Sequence, residues 1–253
     1  MQLTDRQVVE LFHLHFVRLL CAGADKDRFA IKGGCNLRFF FESVRYSEDI
    51  DFDVTRVPVH TLKERVTKLL GGPALALPLK SRGVAIVEAS APKQTETTQR
   101  WKVTLSVEGR ALPLHTKIEF SRREAADEPR TESVAPAVLA EYGLMPVLAP
   151  HYPLAAAMRQ KIGALVGRSA VQARDVFDLR VLIAKASGSI QPLEAVQPKL
   201  SKAIERAMEV SYDDYRAQVV SYLKPEHIEE YGSRAAWDAI QSQVVDYLEK
   251  GLR

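Results

Sequence analysis

Two carboxylates one residue apart, Asp49 and Asp51, follow a glycine pair, Gly33 and Gly34, with only a short apolar segment between them. Glycines let a backbone turn approach phosphate groups closely. Acidic side chains two apart on a strand point the same way and can share a metal ion. Mg²⁺ is commonly held by one or two carboxylates completed by substrate phosphates. A phosphate turn followed by an acidic pair therefore suits in-line attack on the α-phosphate of a nucleoside triphosphate. There a divalent cation neutralises the phosphates and acidifies the attacking hydroxyl. The plain alternative for Asp49 and Asp51 is a solvated strand edge, and for the glycines a tight strand–helix turn.

The wording of these segments is more specific than either half. Lys32-Gly33-Gly34-Cys35-Asn36-Leu37 is followed by Arg45-Tyr46-Ser47-Glu48-Asp49-Ile50-Asp51-Phe52. Further on stand Lys161-Ile162-Gly163-Ala164-Leu165, Arg168 and Arg174-Asp175-Val176-Phe177-Asp178-Leu179. Together they resemble the AbiEii/AbiGii-type nucleotidyltransferase toxins, over roughly residues 29–183. That family's pattern is K-G-G-small-x-L, R-x-S-x-D-I-D, then K-x-x-A-L, an Arg and [RK]-D-x-x-D-L. The resemblance implies that Asp49 and Asp51 hold Mg²⁺ (or Mn²⁺) and that Gly33, Gly34 and Cys35 bind nucleotide. It implies that Lys161 neutralises the triphosphate and that Asp175 serves the active site. It further implies NTP as substrate, an RNA acceptor such as the tRNA 3′ end, arrest of translation, and a cognate antitoxin. One departure is Cys35, where many nucleotidyltransferases carry Ser or Thr, because a thiol donates a weaker hydrogen bond. Asn36 is the next polar side chain that offers compensation.

Other residues join the candidate site on their own chemistry. Glu119, in Lys117-Ile118-Glu119-Phe120, alternates with apolar neighbours and is a third carboxylate if its strand lies beside the acidic pair. It would be a metal ligand or a general base; the alternative is a salt bridge to Arg100 or Lys102. Asp53 shares the acidic face, but the family's pair occupies the first two positions. Lys161, Leu165 and Arg168 fall at i, i+4 and i+7 of a helix. The helix would pack Met158, Ile162, Leu165 and Val166 while presenting two cations, Lys161 to the triphosphate and Arg168 to the base or a phosphate. Surface cations beside a packed stripe are the alternative. Asp178 reads as mainly structural, pairing with Arg174 or capping local structure. Ser47 is counted with the nucleotide-binding residues; a phosphate there would repel nucleotide.

The elements that must position these groups follow from periodicity. Thr4 is an N-cap for a first helix carrying Val8, Leu11 and Phe12 at helical spacing. Phe29–Ile31 reads as a buried strand running into the glycines, and Leu37–Phe41 as a helical turn after them. Ile50 and Phe52 alternate with Asp49, Asp51 and Asp53, the period of a strand. Val59–Leu70 reads as a helix, then 84–87, 101–107 and 114–120 as strands, with Glu108-Gly109-Arg110 turning between the last two. Residues 125–134 read as a loop. Beyond Pro146–Pro153 strand signals cease and helices are expected over 154–167, 171–185, 193–208, 212–222 and 235–252. The expected fold class is α+β: a nucleotidyltransferase-type mixed-sheet lobe over 1–145, then an all-helical C-terminal lobe over 146–253, with nucleotide between them.

Composition sets outer bounds. With 253 residues, 46% hydrophobic and 26% charged, the chain has the make-up of a globular protein. No apolar run approaches the ~20 residues of a membrane span, and no secretion signal opens it; a cytoplasmic location is expected. Cys21 and Cys35 form neither a disulfide framework nor a metal motif, and the six histidines show no ligand spacing. The net charge of +3 excludes a globally basic nucleic-acid binder. Yet between 93 and 123 Lys93, Arg100, Lys102, Arg110, Lys117, Arg122 and Arg123 outnumber Glu96, Glu108 and Glu119 by four. Such a stripe suits a phosphate backbone; a solvated sheet face is the alternative. Against an RNA-modifying toxin stand a nucleotidyltransferase with a small-molecule or protein acceptor and a non-catalytic nucleotide- or RNA-binding module.

Overall fold

The computed structural model describes residues 3–23, 25–122, 127–186 and 193–252. Arg123 therefore lies outside the described residues. The chain divides into two compact units. One comprises residues up to 40 together with 46–152, the other 41–45 together with 153 onward.

The first unit is built on a seven-stranded mixed sheet. Helix α1 (Asp5–Leu20) starts at Thr4, whose hydroxyl accepts from the Gln7 amide while the Gln7 side chain returns a bond to the Thr4 amide. This capping box fixes the helix start. Strand β1 (Phe29–Lys32) runs directly into α2 (Gly33–Phe40), so the helix begins at the glycine pair itself. After β2 (Ile50–Val54) and α3 (Val59–Gly71) comes α4 (Pro73–Lys80), which periodicity did not reveal. Two prolines in eight residues look like breakers, but Pro73 sits in the first turn, where a missing N–H costs nothing.

Strands β3 (Val84–Gln94), β4 (Thr98–Val107) and β5 (Leu114–Ser121) form an antiparallel meander. Gly109, at φ +78°, supplies the turn between the last two. Then follow β6 (Arg130–Ser133), α5 (Pro136–Tyr142) and β7 (Leu148–His151). The sheet order is β3-β4-β5-β2-β1-β7-β6, with β2 parallel to β5 and β1 parallel to β7.

Two expectations need correction. The stretch expected as a loop holds β6 at 130–133. All four of its residues are exposed on the sheet edge, so no alternation marks it. And β7 is a strand beyond 146, disguised by Pro150 and held by β1 and β6.

One face of the sheet is covered by α1, α3 and α4. Phe12, Phe16, Ile31, Phe52, Trp101, Ile118 and Phe120 fill that core, all buried. Phe52 stacks on Phe120 at 4.9 Å across the β2–β5 pair. The opposite face carries the polar members of the alternation, Arg100, Lys102 and Thr104 on β4 and His115, Lys117 and Glu119 on β5.

The second unit is helical: α6 (Leu154–Gly167), α7 (Ala173–Lys185), α8 (Leu200–Met208), α9 (Tyr212–Gln218), α10 (Pro225–Tyr231) and α11 (Arg234–Lys250). Phe177, Tyr215, Tyr231 and Trp237 form its aromatic centre, with Tyr215 and Trp237 stacked at 4.6 Å.

Candidate functional site

The glycine turn and Asp51, the second member of the acidic pair, meet at one atom. Gly33 has φ +66°, a conformation costly for residues with a side chain. A methyl group placed there would lie 2.9 Å from Asp51 Oδ2. The strand–helix turn thus brings the head of α2 against the Asp51 carboxylate, which would have to shift to admit a side chain at Gly33. Helix N-termini favour anions through unsatisfied N–H groups and the helix dipole.

Asp51 lies in β2 opposite Lys32 of β1 and in register with Glu119 of β5. Parallel pairing places Asp51 and Glu119 side by side on the polar face. Glu119 is held by Arg100, whose Nε and Nη2 reach Glu119 Oε2 at 2.7 and 2.6 Å. Asp53 is fully engaged: Lys32 Nζ lies 2.5 Å from Oδ1, and the Tyr152 hydroxyl donates to Oδ2 at 2.7 Å.

Asp49 sits one residue before β2, not within it. Its side chain finishes the β2–β5 ladder. Oδ1 accepts from the Lys117 backbone amide at 3.0 Å, while Oδ2 meets the Lys117 ammonium at 2.8 Å. One oxygen is thereby oriented by the backbone and the other faces a cation. Among the described residues no group of three or more His, Cys, Asp or Glu side chains is gathered as a metal cage. The arrangement does fit a two-carboxylate Mg²⁺ site: the donors are hard oxygens, and Asp49 Oδ2 already faces a cation, the Lys117 ammonium.

Behind Asp49 lies a buried polar cluster that sequence spacing did not reveal. Ser47 Oγ donates to the Asp49 carbonyl at 2.8 Å, and Cys35 Sγ to the same oxygen at 3.4 Å. Cys35 also meets His13 Nδ1 at 3.7 Å. His13 Nε2 lies 2.7 Å from Thr116 Oγ1, and Thr116 donates to the Glu48 carbonyl at 2.7 Å. Burial pushes the His13 pKa down to about 3 and the Cys35 thiol well up, so both are neutral. Three side chains of distant origin thus converge on the backbone that presents the acidic pair. Asn36 is buried and turned inward to the Tyr152 carbonyl and to His151.

In the second unit Lys161, Arg168, Asp175 and Asp178 form one ion network. Lys161 Nζ lies 3.1 Å from Asp175 Oδ1 and 2.6 Å from Asp178 Oδ2. Arg168 Nε reaches Asp175 Oδ2 at 2.8 Å. Arg45 takes both oxygens of Asp178, at 3.0 and 3.1 Å. Asp178 pairs with Arg45 and Lys161, where the sequence suggested Arg174. Both aspartates are fully buried, and Lys161 is buried with them, not displayed on a helix surface. One helical turn between Asp175 and Asp178 sets both carboxylates toward α6. Burial alone would lower the Lys161 pKa, but Asp178 and Asp175 outweigh it and raise it. Burial would raise that of Asp178; Arg45 and Lys161 reverse this and hold it below the usual range.

The basic stripe is less continuous than its sequence. Arg110 is spent on Asp5 and the Leu3 carbonyl, Arg122 on Gln99 and the Val57 carbonyl, and Arg100 and Lys117 on carboxylates. Lys93 and Lys102 are exposed on the polar face. Lys102 stands directly across from Lys117, and Lys93 from Arg100.

Comparison with known proteins agrees with this architecture. A family model described as the nucleotidyl transferase AbiEii toxin of type IV toxin–antitoxin systems matches residues 17–250. No curated protein matches the sequence. Among solved structures, the nucleotidyltransferase toxin MenT4 from Mycobacterium tuberculosis H37Rv aligns with TM-score 0.64 at 19% identity, over 97% of this chain and 84% of its own. JHP933 from Helicobacter pylori aligns with TM-score 0.59 at 18% identity, over 99% of this chain and 96% of its own. At such identities these two show a shared fold, and the family match carries the rest: the chain belongs to the AbiEii family of nucleotidyltransferase toxins of type IV toxin–antitoxin systems.

Proposed function

We propose that this chain transfers a nucleoside monophosphate from an NTP to an RNA acceptor, the tRNA 3′ end, and so blocks translation. The observation that carries this reading is the meeting of Asp51 with the Gly33 turn, beside Glu119 and next to Asp49. Asp49 and Asp51 would hold Mg²⁺ or Mn²⁺, which when bound supplies charge neutralisation and a more acidic acceptor hydroxyl. The Gly33 and Gly34 amides, at the head of α2, are assigned to the phosphates of the nucleotide. Glu119, steadied by Arg100, is assigned the proton of the attacking hydroxyl. The oxygen of that hydroxyl bonds to the α-phosphorus, and pyrophosphate leaves with the bridging oxygen.

Lys161 is assigned charge neutralisation on the triphosphate, and Arg168 a phosphate or the base. Asp175, bonded to both, orients them. In this reading Ser47 and Cys35 serve nucleotide binding from behind, since both donate to the Asp49 carbonyl and fix the loop. Among the described residues of the basic stripe, the exposed Lys93 and Lys102 are left for an RNA backbone. The family implies a cognate antitoxin as partner. No described helix is long and apolar enough to cross a membrane, and the proposed substrates place the activity in the cytoplasm.

The test incubates purified protein with Mg²⁺, total tRNA and each of the four α-labelled NTPs in turn, with Asp51→Asn as control. Label in tRNA with the wild type alone supports the reading. Label in a small molecule or protein, with none in RNA, replaces the acceptor; label in nothing at all removes the catalytic reading.

A further inference from the structure

Each carboxylate of the acidic patch that shows an ion pair draws its cation from a neighbouring strand: Lys117 on Asp49, Arg100 on Glu119, Lys32 on Asp53. The Asp49 pair differs from the other two in one respect. Arg100 and Lys32 meet their carboxylates through the side chain, whereas Lys117 is bound to Asp49 twice, through its backbone amide and its ammonium. The amide bond fixes the carboxylate whatever the ammonium does. The ammonium is then free to leave without loss of the Asp49 orientation. Its side chain is 47% exposed, and directly across the ladder stands Lys102, a like charge. Like charges opposite one another repel, so Lys117 is held in place by Asp49 and by little else.

We propose that Lys117 is a built-in counterion for Asp49, displaced only when divalent metal and nucleotide arrive together. The inference rests on Asp49 being a metal carboxylate. A metal ion arriving alone must compete with an ammonium tethered beside the same oxygen. It then stands near two lysines, Lys117 and Lys102, with no new anion to receive them. A triphosphate arriving with the metal supplies that anion. Lys117 moves from Asp49 Oδ2 to a phosphate oxygen, and the site gains a metal without accumulating positive charge. Metal and nucleotide thus bind with positive coupling, and by linkage each raises the affinity of the other equally. Asp49 stays neutralised in the free protein, and a divalent ion without substrate binds there more weakly than it would without Lys117.

The experiment is direct Mn²⁺ binding, read from the EPR signal of free Mn²⁺, with and without a non-hydrolysable α,β-methylene NTP. Wild type is compared with Lys117→Met, Lys102→Met and Asp49→Asn. Without nucleotide, Lys117→Met is expected to bind Mn²⁺ about fivefold tighter, the combined effect of a lost competitor and a lost repulsion. Lys102→Met, which removes an equal charge but no carboxylate contact, is expected to change affinity less than about twofold. The gain in Mn²⁺ affinity on adding nucleotide is expected to shrink in Lys117→Met by the same factor. Equal or weaker Mn²⁺ binding by Lys117→Met, with binding lost in Asp49→Asn, overturns the counterion role and leaves the metal reading intact. Undiminished Mn²⁺ binding by Asp49→Asn overturns the metal reading of Asp49 and the inference with it.

Discussion

At Gly33 the backbone and the chemistry impose the same requirement. The φ of +66° and the 2.9 Å approach of Asp51 Oδ2 both penalise a side chain, the first by strain and the second by forcing Asp51 to shift. Gly33→Ala is therefore expected to cost about 1–2 kcal/mol from backbone strain alone. It is also expected to lose transfer activity, because the methyl group displaces Asp51. Urea unfolding measures the first and labelled-NTP transfer the second; an active, fully stable alanine variant contradicts both. His13 makes a prediction about acid. Its folded pKa of about 3 lies below the ordinary 6.5, so the unfolded chain binds a proton that the folded chain refuses. The stabilisation is complete above pH 6.5 and is lost progressively as pH falls from 6.5 toward 3. At pH 5 the loss from His13 is about 2 kcal/mol relative to pH 7. His13→Gln, tested by denaturant titration at several pH values, is expected to flatten this part of the slope. His15, also lowered to about 4, supplies a remainder.

At the scale of elements, α6 and α7 are joined by charge as well as by packing. Asp178 is fully buried between Arg45 and Lys161. Removing one member of a buried pair strands the other, at a cost of about 3–5 kcal/mol. Asp178→Ala is expected to lower stability by that amount in thermal or urea unfolding. Arg174→Ala, at the partner expected from sequence, is expected to stay within about 0.5 kcal/mol. Much of this organisation could be read from spacing: α1 from its N-cap, β2 from its alternation, the β4–β5 hairpin from Glu108-Gly109-Arg110. Where neither face of an element is buried, as in β6, or where proline sits inside it, as in α4 and β7, periodicity carries no signal and the neighbours decide. The glycine turn and the acidic pair were legible because each is local. The Asp49–Lys117 contact, the Cys35–His13–Thr116 cluster and the Arg45–Asp178 pair were not, since their partners are far apart in the chain and only the fold brings them together.

Across the whole molecule, two compact units divide the motif residues: Gly33, Asp49, Asp51 and Glu119 belong to the sheet unit, Arg45, Lys161, Arg168 and Asp175 to the helical one. The net charge of +3 is small, so attraction to RNA must come from local surplus, not from the overall field. In the proposed reading that surplus is Lys93 and Lys102. The double variant Lys93→Gln/Lys102→Gln is expected to weaken tRNA binding and to reduce the log–log salt slope by about 1.4–1.8, the release of two counterions. An unchanged slope in a filter-binding titration removes these lysines from the RNA surface. The identity of the group transferred separates nucleotidyl transfer from phosphoryl transfer. Parallel reactions with α-labelled and γ-labelled NTP, Mg²⁺ and tRNA decide it most directly. The expected result is α-label in tRNA, γ-label in pyrophosphate, and neither with Asp51→Asn. γ-Label in the RNA, or α-label transfer that survives Asp51→Asn, would contradict it.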